Sequence, residues 1–338
     1  MFEDLGFVDM TAKQASVWFG LGLGVLFGIL AEASRFCFRR GIVQSPDRAQ
    51  AQGVWLTGFA VAILATQLAV FLGWVDFSGH RFYAENVQVL GIAAGGILLG
   101  IGMVLTRGCP SRVTVLMGTG NLRAAFVVVV FGIVVLSTLK GVFVPFRMGL
   151  SDVTVALPLQ GFGDLPGGAV LWSVVIAGAA LLIAARSGAR VIDLVTAVGI
   201  GLLVAVGWAG TGFILYDEFD PIAMETLGVT LPWSEAVFWF VASSSISASF
   251  GAGLVGGMIL GGFVSSLVTG RFELQGFSGG AETLRYLIGA VLMGVGGVLA
   301  GGCTVGAGLA GMSTLSFAAL LAVVSIAIGG YLADRMID

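Results

Sequence analysis

Three cysteines are the residues of this chain best suited to chemistry, and each stands at a break between strongly apolar stretches. They lie in Ser34-Arg35-Phe36-Cys37-Phe38-Arg39-Arg40, in Thr106-Arg107-Gly108-Cys109-Pro110-Ser111-Arg112 and in Ala300-Gly301-Gly302-Cys303-Thr304-Val305-Gly306, and the 338 residues contain no other cysteine. A neutral thiol donates a weak S–H hydrogen bond. Such a donor suits a soft, polarisable sulfur anion, because it holds the ion less tightly than an arginine would and lets it leave. For one cysteine alone the plainer reading is a small buried hydrophobe; three at junctions and none inside a continuous apolar run point to a shared role. Three cysteines cannot all pair within one chain, and none belongs to the Cys-x-x-Cys type of pair that thiol exchange uses. They are read as free thiols. A thiol-redox enzyme or membrane sulfur-relay protein is the competing class.

The second and third junctions are related. Gly100 to Pro110 aligns without gaps to Gly294 to Thr304, with six of eleven positions identical, Gly108-Cys109 matching Gly302-Cys303. After each cysteine comes a segment too short to cross a bilayer, Pro110 to Gly118 and Thr304 to Met312. Pro110 suits a first helical turn, where its missing N–H goes unused. Two re-entrant half-helices beginning at Cys109 and Cys303 are therefore expected, their unpaired N–H groups forming an anion site. The candidate path residues are Cys37, Cys109, Cys303, Arg107, Arg112, Gly108, Gly302 and Thr304. Arg107 and Arg112 bracket Cys109; the alternative for such arginines is to snorkel at a span end and set topology. Glu32 is expected to pair with Arg35 on one helix face.

The elements that position these groups must be membrane helices. The chain is 57% hydrophobic and only 10% charged, with a mean hydropathy of +1.03, which excludes an ordinary soluble domain. Glycine, at 54 residues, fits closely packed helices. Nine apolar runs approach the ~20 residues a span needs: Val17 to Phe36, Val54 to Trp74, Val87 to Thr106, Ala124 to Val144, Gly168 to Ala185, Val191 to Phe213, Glu235 to Thr269, Leu284 to Ala300 and Leu315 to Ala333. The seventh is too long for one crossing, and its Ser- and Gly-rich stretch from Ala242 to Gly253 predicts a break. The fold class is an all-α polytopic membrane protein, a single transport domain over 1–338 with repeats at approximately 17–144 and 191–333 and an external loop at 145–167.

Arginine sets the expected orientation. Arg35, Arg39, Arg40, Arg48, Arg186, Arg190 and Arg271 go to the cytoplasm, whereas Asp76, Glu85, Asp217, Glu218, Asp220 and Glu225 fall in the opposite loops. The N-terminus is then periplasmic, the C-terminal Asp334 and Arg335 cytoplasmic, and the two repeats inverted, as in transporters with a midplane site. Met1 to Ala15, with Glu3, Asp4, Asp9 and Lys13, is expected at the membrane surface. His80, the one histidine, reads as a solvated loop residue rather than a metal ligand. No chain of carboxylates that could carry a proton is evident, no phosphate-cradling loop is present, and no metal, cofactor or nucleic acid is called for.

At these residues the chain resembles the YeeE/YedE sulfur transporter family of bacterial inner-membrane proteins. Ser34-Arg35-Phe36-Cys37, Arg107-Gly108-Cys109-Pro110-Ser111-Arg112 and Gly301-Gly302-Cys303-Thr304-Val305-Gly306 are similar to its three cysteine motifs, and Leu292-Met293-Gly294 adds to the match. The resemblance runs from about Gly20 to Tyr331. It implies uptake of thiosulfate, or of another small sulfur or selenium compound, through an hourglass-shaped protein of inverted repeats with cysteines along the path. It also implies a cytoplasmic TusA-like sulfurtransferase as the recipient. The expected arrangement places Cys109 and Cys303 at the central constriction, Cys37 on the cytoplasmic side, and leaves net uptake to consumption of the substrate inside.

Overall fold

A computed structural model of the chain describes residues 10–156, 159–217 and 220–337; Glu3, Asp4, Asp9 and Glu218 lie outside the described residues. The helices among them are α1 (Ala12–Ala33), α2 (Phe38–Ile42), α3 (Arg48–Phe71), α4 (Val89–Leu105), α5 (Pro110–Gly118), α6 (Leu122–Lys140), α7 (Val144–Ser151), α8 (Gly168–Ala185), α9 (Val191–Ala209), α10 (Thr230–Ala242), α11 (Phe250–Val268), α12 (Gly280–Leu299) and α13 (Phe317–Ile337). Among the described residues nine segments are long and apolar enough to cross a membrane: Ala12–Ile42, α3, Val89–Gly118, α6, α8, Val191–Ile214, α11, α12 and α13. Each corresponds to one of the nine apolar runs of the sequence. The protein is an all-α polytopic membrane protein, and its strands β1 (Asn86–Val87) and β2 (Val155–Ala156) form only a two-residue antiparallel pair.

The boundaries follow local chemistry. α1 begins at Ala12 rather than Val17 because Thr11 and Gln14 form a capping box, the Gln14 N–H donating to Thr11 Oγ1 at 3.3 Å and the Thr11 N–H to Gln14 Oε1 at 3.2 Å. The seventh run is divided where its serines cluster. Ser249 caps α11, accepting the Ala252 N–H at 3.4 Å and donating to Glu235 Oε2 at 2.5 Å, which ties α11 to α10. The crossing is therefore α11 alone. The 13 residues of α10 reach about 20 Å, short of a hydrocarbon core of about 30 Å.

Glycine decides how closely the helices approach. α1 lies along α11 with Gly20, Gly24 and Gly28 facing Gly253, Gly257 and Gly261. A methyl on Gly24 would stand 2.2 Å from the Leu254 carbonyl oxygen, and one on Gly257 2.2 Å from that of Leu21. The contact is backbone on backbone and admits no larger residue.

The loops sort onto two faces. The Gln44 N–H donates to Asp334 Oδ2 at 2.9 Å, joining the segment after α2 to the end of α13. Glu32 at the end of α1 faces Arg112 and Arg271, and Arg123 pairs with Glu282 at 3.1 Å. These arginine-rich ends form one face. On the other, β1 pairs with β2, Tyr83 Oη donates to the Thr314 carbonyl at 2.5 Å, and His80 packs edge-on against Trp208 at 5.2 Å.

Candidate functional site

One backbone device delivers all three cysteines. A helix ends, the next residue but one takes a left-handed conformation, and the cysteine follows two residues later. The left-handed residues are Arg35 (φ 51°), Arg107 (φ 56°) and Gly301 (φ 72°). In the first two the reversal is a full Schellman motif: the Arg35 and Phe36 N–H groups donate to the Glu32 and Ala31 carbonyls, and those of Arg107 and Gly108 to Val104 and Met103. Cys37 and Cys109, both extended, then stand at the N-cap positions of α2 and α5, with Pro110 in the first turn. Cys303 differs. Within the stretch where the second short helix is expected, a turn leads into a π-helical segment, Gly306–Gly311, and the Gly306 N–H donates to Cys303 Sγ at 3.4 Å.

All three thiols are buried in one continuous core. By sequence, Cys109 is expected beside Cys303, with Cys37 apart. The structure brings Cys37 and Cys109 together, Sγ to Sγ at 3.8 Å, with Ser111 Oγ 3.3 Å from Cys109 Sγ. Cys303 instead lies at the wall of a cavity of ≈ 620 Å³ on the opposite face, shared with Gly301, Gly302, Thr230, Arg81, Arg147 and Glu225.

The remaining predicted residues fall into two groups. Gly108 and Gly302 are buried hinges: a methyl would stand 2.8 Å from Val113 at the first and 2.9 Å from the Ala307 nitrogen at the second. Thr304 is buried, and its Oγ1 has no hydrogen-bond partner among the described residues. The two arginines differ. Arg107 is exposed, and Arg112 is bound to Glu32 Oε2 at 2.9 Å and to the Ala31 carbonyl at 3.1 Å. Glu32 thus pairs with Arg112 across helices, with Arg271 at 3.9 Å, and not with Arg35.

The cavity gathers charged groups from several loops. His80 is half-buried there rather than solvated; burial, and then Arg81, lower its pKa to about 4. Burial also lowers the pKa of Arg81, against the pull of Glu225. The Glu225 carboxyl is pushed up to about 8 by burial first and by Glu235 second, with Arg81 opposing. Its backbone is fixed: the Glu225 N–H donates to Thr211 Oγ1 at 3.0 Å and that hydroxyl donates to the Glu225 carbonyl at 2.7 Å.

The profile of a family described as sulphur transport matches residues 33–332. The chain belongs to the sulphur transport family. It is 29% identical over 330 residues to the thiosulfate transporter TsuA of Spirochaeta thermophila, covering 93% of this chain and 97% of that one. It is 25% identical over 354 residues to the thiosulfate transporter TsuA of Escherichia coli, covering 94% of each.

For a member of this family the residues missed at sequence level matter most. Arg81 and Arg147 both come from loops that the arginine bias assigns to the arginine-poor side, and that exception was the available signal. Arg147 sits on α7, within the 145–167 segment, so this segment supplies part of the cavity wall. Thr230 opens α10, and its buried Oγ1 lacks a partner among the described residues. The Cys37–Cys109 pair left no local signal, being 72 residues apart in sequence.

Proposed function

We propose that this protein carries thiosulfate, or a similar small inorganic sulfur anion, across the bacterial cytoplasmic membrane along Cys303, Cys109 and Cys37. The observation that carries the reading is the placement of three buried thiols by one repeated backbone device, one thiol at a cavity and two in mutual contact. Family membership and the two TsuA relatives support the substrate class. In this reading the cavity is the outer vestibule. Arg81, Arg147 and the unpaired N–H groups at the start of α10 draw the anion in, and weak S–H donors pass it inward without holding it.

The arginine-rich face is cytoplasmic, the N-terminus periplasmic, and the stretches 17–144 and 191–333 are inverted halves of one domain. α5 and α10 act as re-entrant half-helices. The protein acts as a permease without chemistry of its own, and a TusA-like sulfurtransferase receives the substrate. Uptake of radiolabelled thiosulfate by proteoliposomes of the purified protein tests the substrate: accumulation above empty vesicles supports it, and no difference refutes it. Competition by unlabelled selenium and sulfur anions ranks the alternatives. For orientation, Arg190→Cys in a cysteine-free background should resist an impermeant maleimide in whole cells while Asp220→Cys reacts; the reverse overturns it.

A second reading has one observation in its favour. Cys37 and Cys109 lie as close as an attacking and a resolving cysteine would, so a thiol cycle is geometrically accessible. Transport with all thiols kept reduced throughout would exclude it.

A further inference from the structure

Buried hydrogen-bonding groups are almost always satisfied, and each exception calls for a physical reason. Trp55 is such an exception on α3: the residue is 7% exposed, and its indole Nε1–H has no acceptor among the described residues. An unpaired donor in a dry interior is costly, and a phenylalanine would avoid the cost.

Its surroundings connect the two cysteine junctions. One neighbour is Phe38, the residue directly after Cys37, with ring centroids 4.8 Å apart. The other is the π-helical segment after Cys303: a methyl built on Gly308 would stand 3.2 Å from Trp55 Cζ2. The benzo edge of the indole, Cζ2 and Cη2, is turned toward that segment, and Cζ2 lies two bonds from Nε1. Glycine at 308 is what lets the indole come so close. Thr304, at the start of the same turn, adds a buried hydroxyl that has no partner among the described residues.

We propose that the indole N–H of Trp55 is a further hydrogen-bond donor on the substrate path, serving the anion between the Cys303 turn and the Cys37–Cys109 pair. The ligand is a small oxyanion or thio-oxyanion, whose acceptor atoms supply in passing the partner that the folded protein withholds. A tryptophan N–H suits this step as a thiol does, since it donates without a formal charge. The inference rests on the reading that a sulfur anion passes the three thiols.

The experiment compares Trp55→Phe with Phe59→Leu in proteoliposomes loaded with equal amounts of folded protein. Phe59 stacks on the indole at 5.2 Å, so Phe59→Leu loosens the same ring without removing the N–H. Trp55→Phe should lower thiosulfate uptake about 10- to 100-fold, as expected for loss of a hydrogen bond to a charged group, whereas Phe59→Leu stays within about threefold of the parent. A second measurement needs no active variant: in protein labelled with 15N-indole tryptophan, the side-chain resonance that Trp55→Phe deletes should shift when thiosulfate is added. Uptake by Trp55→Phe within about twofold of the parent, an equal loss in both variants, or an unmoved resonance beside an active parent would overturn the role of Trp55 and leave the transport reading intact. Absence of uptake by the parent protein would overturn both.

Discussion

The Cys303 junction and the Cys37–Cys109 junction are reached by the same helix ending and then diverge. Cys303 faces a cavity and is followed by a π-helical segment rich in glycine. Cys37 and Cys109 face each other, and a buried ion pair between Arg112 and Glu32 clamps α5 to the end of α1 beside them. One junction is therefore open and backbone-lined, the other closed and held by side chains. For a path that must pass an ion without trapping it, the first shape suits capture and the second suits control.

The largest test removes the thiols. Cys303→Ala and Cys109→Ala should each cut thiosulfate-dependent growth of a sulfur auxotroph and vesicle uptake by about 10- to 100-fold, the worth of one hydrogen bond to an ion, while the proteins still accumulate. Cys37→Ala should cut uptake less. If both central variants match the parent, the cysteines are packing residues and the comparison loses its meaning.

Oxidation probes only the closed junction. Treatment of the protein with a diazenedicarboxamide oxidant should join Cys37 to Cys109 and stop uptake, and dithiothreitol should restore it. In Cys303→Ala the cross-link should still form, as read by mass spectrometry. A preferred link involving Cys303 would contradict the observed pairing.

The ion pair that holds the closed junction should matter for stability. Glu32→Gln leaves Arg112 buried without its partner and is expected to cost about 3 kcal/mol, read as a lower Tm in detergent. A double Glu32→Gln, Arg112→Gln protein should lose less than the sum of the single changes.

A smaller effect belongs to the open side. Glu225 is raised to about 8, so it is neutral below that pH and a carboxylate above it. The added negative charge opposes an entering anion, and KM for thiosulfate should rise as the vestibule-side pH passes through about 8. The expected change is roughly fivefold for a coupling near 1 kcal/mol, and Glu225→Gln should flatten it. A pH-independent KM in the parent would remove Glu225 from the vestibule's electrostatics.

The smallest is a backbone effect. Arg107 is exposed yet left-handed at φ 56°. Arg107→Gly should stabilise the fold by about 1 kcal/mol through relief of that conformation, with uptake little changed. A large loss of uptake would return Arg107 to the path.

Much of this protein is legible in the sequence because the bilayer imposes its rules locally. Nine apolar runs correspond to nine spans among the described residues, since each crossing must satisfy its own backbone within about 20 residues. The serine cluster between Ala242 and Gly253 marked a break because Ser249 caps a helix through its own neighbours. The three cysteines could be singled out for the same reason: glycine and proline beside them disfavour a continuous helix by their own backbone chemistry. Tertiary structure alone decided which groups meet. Glu32 could be assigned to Arg35 by helical spacing, yet Arg112, distant in sequence, has the geometry that buries both charges. Cys37 joins Cys109 because α1 and α5 both pack on α11, and Trp55 reaches between two junctions because Gly308 leaves it room. Such contacts depend on how whole helices lie against one another, and a one-dimensional pattern carries the period of each helix but not the rotation and depth at which it packs.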